Sequence, residues 1–242
     1  MASTKKAVGD TRRARLDAVR AQEKAAERKR NLLIVGIFAL VGVILVAIPG
    51  FLLFQQWQDN NRAISEFGVS AAAADCGEVI DDEASGENDH VGPGTPTPDV
   101  TEVEYTTNPP SSGQHFAQSS GFARQFYTPG DTPPLENLVH NLEHGATIVW
   151  YDESVPDDQV DELQGLSERI SADAPKFIVA AWDSSRGDFP EGRIAMSHWS
   201  AAVPPATVGT GHRVYCDQVS GEAIDDFVTE FPYTDSPEPN AG

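Results

Sequence analysis

One uninterrupted apolar segment dominates the pattern of hydrophobic and polar positions along the chain. Residues 32–54 contain no charged side chain, and as a helix they would extend about 35 Å, because an α-helix rises 1.5 Å per residue. The hydrocarbon core of a bilayer is only about 30 Å thick. A cleaved signal peptide has a shorter apolar region and a cleavage site of small residues close behind it. The pattern therefore predicts one transmembrane helix at 32–54.

Basic residues are concentrated before this segment and are scarce after it. They are Lys5, Lys6, Arg12, Arg13, Arg15, Arg20, Lys24, Arg28, Lys29 and Arg30. Because basic residues beside a spanning helix are retained in the cytoplasm, we expect a basic cytoplasmic tail at 1–31. The predicted partner of the helix is the lipid bilayer, and the expected location is a bacterial plasma membrane with the C-terminal part outside.

Beyond the helix, the hydrophobic periodicity predicts a single compact extracytoplasmic domain of the α+β class. Apolar residues recur at helical spacing in three segments, and three short runs rich in β-branched and aromatic residues are typical of strands. The predicted order is helix 135–144, strand 146–151, helix 160–170, strands 176–182 and 193–199, and helix 221–231. We place this domain at 100–231, after a stalk and a linker rich in Gly, Pro and acid at 55–99. The last residues, 232–242, are expected to be a disordered tail.

The charge balance excludes one class of partner. The chain carries 37 acidic against 17 basic residues, a formal net charge of −20, and most of the basic residues precede the domain. Surfaces that bind nucleic acid need Lys and Arg to neutralise phosphate. We therefore expect no nucleic-acid partner. The charge balance does not exclude a protein partner in the cell envelope.

The two cysteines, Cys76 and Cys216, both fall in the part that is predicted to lie outside the membrane. Disulfides persist in such oxidising compartments, and a bond between these two would close a loop of roughly 140 residues, worth about 4–5 kcal/mol on the chain-entropy scale. The alternative is a pair of buried free thiols. We favour the disulfide.

Histidines supply the candidate chemistry. His140 and His144 are one helical turn apart on the same face of the predicted helix, a spacing that lets two imidazoles bind one metal ion. Glu143 lies near that face, and His115 follows a loop that two prolines stiffen. We predict that His115, His140 and His144 bind zinc or copper, metals that suit imidazole ligands. The other histidines, His90, His198 and His212, are isolated in the sequence and are interpreted as incidental.

Two alternatives remain beside the metal-binding module. The spacing His140-x-x-Glu143-His144 is the pattern of inverted zinc peptidases, so a metal-dependent hydrolase with Glu143 as its catalytic base is one of them. Gly145 would end the helix directly after the second histidine, which argues against that class. The other alternative is a structural or interaction module. In it the histidines hydrogen-bond backbone carbonyls or, as cationic imidazoles, stabilise the C-terminus of the helix through its dipole.

Three segments, PPSSGQH, GFARQFYTPG and LVHNLEHGATIVWY, together resemble the bacterial domain-of-unknown-function family 3105. The resemblance extends over about residues 75–230. It implies one domain behind an N-terminal membrane span, with no established activity. Ser112, Tyr127 and Glu143 fall within the matching motifs and are expected to line a ligand pocket.

Overall fold

The computed structural model describes residues 2–170 and 174–241, and in the first helix it describes the side chains of residues 24, 27–55, 57 and 58. The chain divides into two units, one ending at Gln58 and the other beginning at Asp59. Each unit is described by itself.

The first unit is a single long helix. Helix α1 covers Ala2–Asn61 and contains Pro49. Its segment Glu27–Gln55 is, within the described part of the chain, the one helical stretch long and apolar enough to cross a membrane. Its apolar side chains are exposed, as at Phe38 and Val46, each 73% accessible. Exposed apolar surfaces of this kind mark sites of contact with a membrane or another protein. The basic side chains before Lys24 lie outside the described residues, so the predicted orientation stays a prediction.

The second unit combines helices and strands, which confirms the α+β class. Its helices are α2 (Ala71–Ala74), α3 (Leu135–Glu143), α4 (Asp157–Ile170) and α5 (Gly221–Glu230). Its strands are β1 (Ile80–Glu83), β2 (His90–Val91), β3 (His115–Phe116), β4 (Phe126–Tyr127), β5 (Thr147–Tyr151), β6 (Phe177–Ala181), β7 (Ile194–Ser200) and β8 (Thr210–Cys216).

Six strands form a mixed sheet in the order β1-β8-β7-β5-β6-β4. Strands β5, β6 and β4 run parallel, whereas β7, β8 and β1 join by antiparallel pairing. Strands β5 and β6 are buried at every position, as their continuous apolar runs require when both faces of a sheet are covered. The separate pair β2 and β3 is parallel and places His90 opposite His115.

Two apolar cores lie on opposite faces of the sheet. Since side chains alternate along a strand, Val149 of β5 joins a core with Leu163 of α4 and Phe227 of α5. Its neighbours Ile148 and Trp150 instead join the core that contains Leu138 and Leu142 of α3. Helix α3 is thereby fixed on one face of the sheet, and its last turn, which carries His140, lies beside β3 with His115.

The second unit is larger than the predicted domain. Strands β1 and β2 lie inside 55–99, the segment predicted as stalk and linker. The final segment is also ordered, contrary to the predicted disordered tail: Ser236 is buried, and the Ala201 N–H donates to the carbonyl of Asp235 at 2.7 Å. The segment is polar in composition, but its polar groups form hydrogen bonds with the rest of the domain. These bonds hold the segment in place although it contains few hydrophobic residues.

Strand β8 was not predicted because His212 and Arg213 interrupt its apolar pattern. Both side chains are buried and pair with acidic residues of the adjacent strand β1, His212 with Asp81 at 2.7 Å and Arg213 with Asp82. The acidic residues of β1 therefore pair with His212 and Arg213, two polar side chains that, considered locally, indicate a loop rather than a buried strand.

Cys76 and Cys216 form a disulfide. Cys216 is buried at the end of β8 and belongs to one of the two cores, where Cys76 packs against it. The bond joins positions 140 residues apart, so it ties the segment after α2 to the end of β8.

We predict that the double substitution Cys76→Ala, Cys216→Ala lowers the free energy of unfolding by about 4–5 kcal/mol, because it removes a cross-link that restricts the unfolded chain. Denaturant unfolding of the full-length protein in detergent micelles measures the change. Dithiothreitol should shift the native protein in the same direction and leave the double variant unaffected. An unchanged unfolding midpoint in the variant would contradict the prediction.

Candidate metal centre

The candidate site lies where the end of α3 meets the β2–β3 pair. The inward face of α3 carries His140 and Glu143, and the parallel pairing of β2 with β3 sets His90 beside His115. His115 and Glu143 are fully buried, with 0% of each residue accessible, and His140 is 5% accessible. The His90 side chain is 33% accessible, so it forms the side of the site that faces solvent.

Four potential ligand atoms converge at this place. One atom each from His90, His115, His140 and Glu143 all lie within 4.8 Å of one another. His115 Nε2 is 3.0 Å from Glu143 Oε2, and His90 Nε2 is 3.8 Å from the same oxygen. Ligands in a tetrahedral zinc site are about 3.3 Å apart, given bonds of about 2.0–2.1 Å. The observed distances bracket that value.

Backbone carbonyls orient two of the imidazole rings. His115 Nδ1 is 2.8 Å from the carbonyl oxygen of Gly113, and His140 Nδ1 is 2.6 Å from that of Phe116. A carbonyl can only accept, so each Nδ1 must carry the hydrogen. In a neutral ring the lone pair then belongs to Nε2. Metal-binding histidines are commonly held in this way.

Three atoms at the centre have no hydrogen-bond partner although they are buried: His90 Nε2, His115 Nε2 and Glu143 Oε2. His115 and Glu143 are close, but their contact does not have the angles of a hydrogen bond. The other oxygen of Glu143 accepts from the N–H of Asn88 at 2.5 Å. Leaving a buried polar atom unpaired costs about 1–3 kcal/mol and more when the group is charged. One bound cation would satisfy all three atoms.

The electrostatics favour the ligand forms of these side chains. Burial, together with the neighbouring histidines, lowers the pKa of His140 despite the bond to Phe116. Burial alone would raise the pKa of Glu143, but the contacts with His115 and Asn88 outweigh it and lower the pKa below the usual range. Neutral imidazole and ionised carboxylate are the states that bind metals.

A second group of potential ligands adjoins the first and shares Glu143 with it. Its other members are His144 and Glu238. His144 Nε2 is 2.9 Å from His140 Nε2 and 3.4 Å from Glu238 Oε2. Helix α3 ends here because Gly145 takes a positive φ of 97°, and a Cβ at that position would lie 2.4 Å from the carbonyl oxygen of Tyr233. The absence of a side chain at Gly145 thus leaves room for the C-terminal segment beside the end of α3.

The site only partly matches the sequence-based prediction. His115, His140 and Glu143 come together in one group, whereas His144 belongs to the adjoining one. Ser112 lies instead in a polar cleft beside the loop that precedes His115, where its hydroxyl accepts from the Ser85 N–H at 3.2 Å. Tyr127 packs in the core with α3, and its carbonyl accepts from the Tyr151 hydroxyl at 3.0 Å.

His90, interpreted from the sequence as incidental, lies in the candidate ligand group. Nothing near it in the sequence repeats the motifs around His115 and His140, and only the long-range pairing of β2 with β3 brings it there. His198 and His212 are engaged elsewhere. His198 Nε2 pairs with Asp235 at 2.8 Å, and His212 Nε2 lies 3.0 Å from the Ser200 hydroxyl.

Comparison with known proteins gives one match. Residues 97–242 match the model of the DUF3105 family, described as a protein of unknown function. That range covers more than half of the 242 residues. Neither a curated protein nor a solved structure matches the chain.

We predict that the metal-free protein loses stability as the pH falls from about 6.5 to about 4. Burial, followed by repulsion from His140, lowers the pKa of His144 from the ordinary 6.5 to about 4. In that interval the unfolded chain binds a proton that the folded chain does not, so the stabilisation present above pH 6.5 is lost. The loss is roughly 2 kcal/mol after allowance for solvent screening.

Denaturant unfolding of the chelator-treated full-length protein across this pH range measures the loss. In the His144→Gln variant the dependence on pH should be smaller by that amount. A native protein whose stability stays flat between pH 7 and pH 4.5 would refute the prediction.

Proposed function

The chain belongs to the DUF3105 family, and we propose that its outer domain binds one transition-metal ion, zinc or copper, through His90, His115, His140 and Glu143. The observation that carries this proposal is the convergence of His90 Nε2, His115 Nε2 and Glu143 Oε2, which are all buried and all without a hydrogen-bond partner.

The donor set supports the choice of metal. Imidazole nitrogen suits zinc and copper, whereas sites for calcium and magnesium are built mainly from oxygen ligands. The single carboxylate of Glu143 offsets half of a divalent charge, which lowers the penalty for placing the ion in a buried site. The hydrogen bonds from His115 and His140 to carbonyls hold the rings with Nε2 pointing inward before metal arrives.

The same geometry supports binding without turnover. Four protein ligands complete the coordination of a structural zinc ion, whereas a catalytic zinc keeps one position open. The hydrolase alternative requires Glu143 as a base, but one of its oxygens faces the ligand group and the other accepts from Asn88. A carboxylate that coordinates metal is not the free base that the hydrolase alternative requires of Glu143.

A purely structural role for the histidines explains less. It accounts for the carbonyl bonds of His115 and His140, but it leaves the buried lone pairs at the centre unpaired. Metal binding explains both features with one ion.

We further propose that helix α1 anchors this domain outside a bacterial plasma membrane, with the basic tail in the cytoplasm. The apolar segment Glu27–Gln55 is long enough to span the bilayer, and the disulfide between Cys76 and Cys216 suits an oxidising compartment. The excess of basic residues before the span supports the orientation. A cell-envelope protein remains the kind of partner that we propose for a domain so placed.

Elemental analysis of the full-length protein, purified in detergent without a metal-affinity tag, tests the metal site. We expect His115→Ala and His140→Ala each to weaken binding at this site by at least 100-fold, because loss of a ligand exceeds the roughly 10- to 100-fold effect of removing a group that only hydrogen-bonds a ligand. His212→Gln provides the matched control, since it removes an imidazole that lies outside the ligand group, and its metal content should equal that of the native protein.

Three results decide the proposal. A metal content in both alanine variants equal to that of the native protein would refute the site, and absence of metal even after incubation with zinc and copper would favour the structural role. Glu143→Gln should weaken metal binding, as loss of a ligand requires. If that variant keeps its metal and loses a hydrolytic activity of the native protein, the hydrolase alternative is correct.

Reporter fusions test the orientation. Alkaline phosphatase fused after residue 242 should be active, because that enzyme needs an oxidising compartment to form its disulfides. Green fluorescent protein fused at the same point and exported through the general secretory pathway should be dark. The opposite pattern would reverse the proposed orientation. Replacing the basic residues at 28–30 with Gln should lower the phosphatase activity, since these charges lie nearest the span.

A further inference from the structure

We propose a second metal position beside the first, with His144 and Glu238 as its own ligands and Glu143 shared between the two. This inference rests on the proposed function, because Glu143 belongs to both positions. Ligand atoms from these three residues all lie within 4.8 Å of one another, and the distance between His144 Nε2 and Glu238 Oε2 is 3.4 Å.

The C-terminal segment is held in place for this role. The N–H of Glu238 donates to the carbonyl of Glu143 at 3.0 Å, so the two acidic residues are joined through the backbone. Lys176 Nζ donates to the carbonyls of His144, Pro239 and Ala241 at 2.7, 2.9 and 2.5 Å. These bonds fix Glu238 next to the end of α3, and a ligand that is already positioned loses little entropy when it binds.

Binding at the first position prepares the second. His140 Nδ1 carries the hydrogen that bonds Phe116, so the 2.9 Å contact between the two Nε2 atoms requires that His144 Nε2 donates to His140 Nε2. A metal on His140 takes that lone pair and removes the acceptor. His144 Nδ1 is buried without a partner and can take the hydrogen instead. The lone pair of His144 Nε2 is then free to face Glu238.

The two positions differ in strength and in access to solvent. Two carboxylates attract the second cation, but the ammonium group of Lys176 lies close by and opposes it, so we expect the second ion to bind more weakly than the first. The Glu238 side chain is 34% accessible, whereas that of Glu143 is fully buried. Three protein ligands at an accessible place leave a coordination position for water or a small anion.

Metal stoichiometry of the full-length protein in detergent micelles tests the second position. The protein is stripped with a chelator, dialysed against buffered zinc and analysed for zinc per chain. We expect two ions in the native protein, one in Glu238→Gln and two in Glu230→Gln. The last variant is the matched control, because it removes the same charge from an exposed residue at the end of α5. Titration with cobalt, followed by its visible absorption, should show a second phase that only Glu238→Gln lacks.

The outcomes separate the two proposals. One ion in the native protein, kept in Glu238→Gln and lost in His115→Ala, would overturn the second position and leave the first intact. Two ions in Glu238→Gln would also overturn it. No zinc in any form would refute both. Equal thermal unfolding of the metal-free native protein and Glu238→Gln shows that loss of the second ion is not caused by misfolding.

Discussion

The buried carboxylate of Glu143 imposes the main constraint on this domain. An ionised group without solvent contact needs compensating partners, and here the partners come from distant parts of the sequence. Asn88 supplies a backbone N–H to one oxygen, and the other oxygen faces the imidazoles of His115 and His90, where the proposed cation would compensate its charge. The β2–β3 pair, the loop before His115 and the end of α3 must all be formed before these groups meet. The polar site and the fold therefore depend on each other.

The surrounding core keeps this polar group rigid. Helix α3 packs its apolar face on the sheet through Leu138 and Leu142, and the rings of Trp199 and His115 are nearly perpendicular with 6.2 Å between their centroids. Side chains in such a close-packed interior hold fixed rotamers. The ligand rings are thereby pre-positioned by packing on one side and by carbonyl bonds on the other.

Local patterns predicted the parts of the structure that depend on local forces. Helical spacing identified α3 and therefore the neighbours His140 and Glu143, and apolar runs identified β5, β6 and β7. Features that depend on long-range pairing were missed. His90 joins the candidate ligand group only through β2. The basic side chains of β8 find their acidic partners, Asp81 and Asp82, in β1, and the last segment is ordered by bonds to residues far away in sequence.

Strand β2 divides the ligand set between two parts of the chain. His115, His140 and Glu143 fall within the residues that match the family, 97–242, whereas His90 precedes them. Under the proposed function, a chain that shares the matched part but has no histidine in the place of His90 offers a metal three protein ligands and one open position. An open position is typical of catalytic rather than structural zinc. The segment ahead of the matched residues therefore sets whether the proposed site is closed by protein or open to solvent.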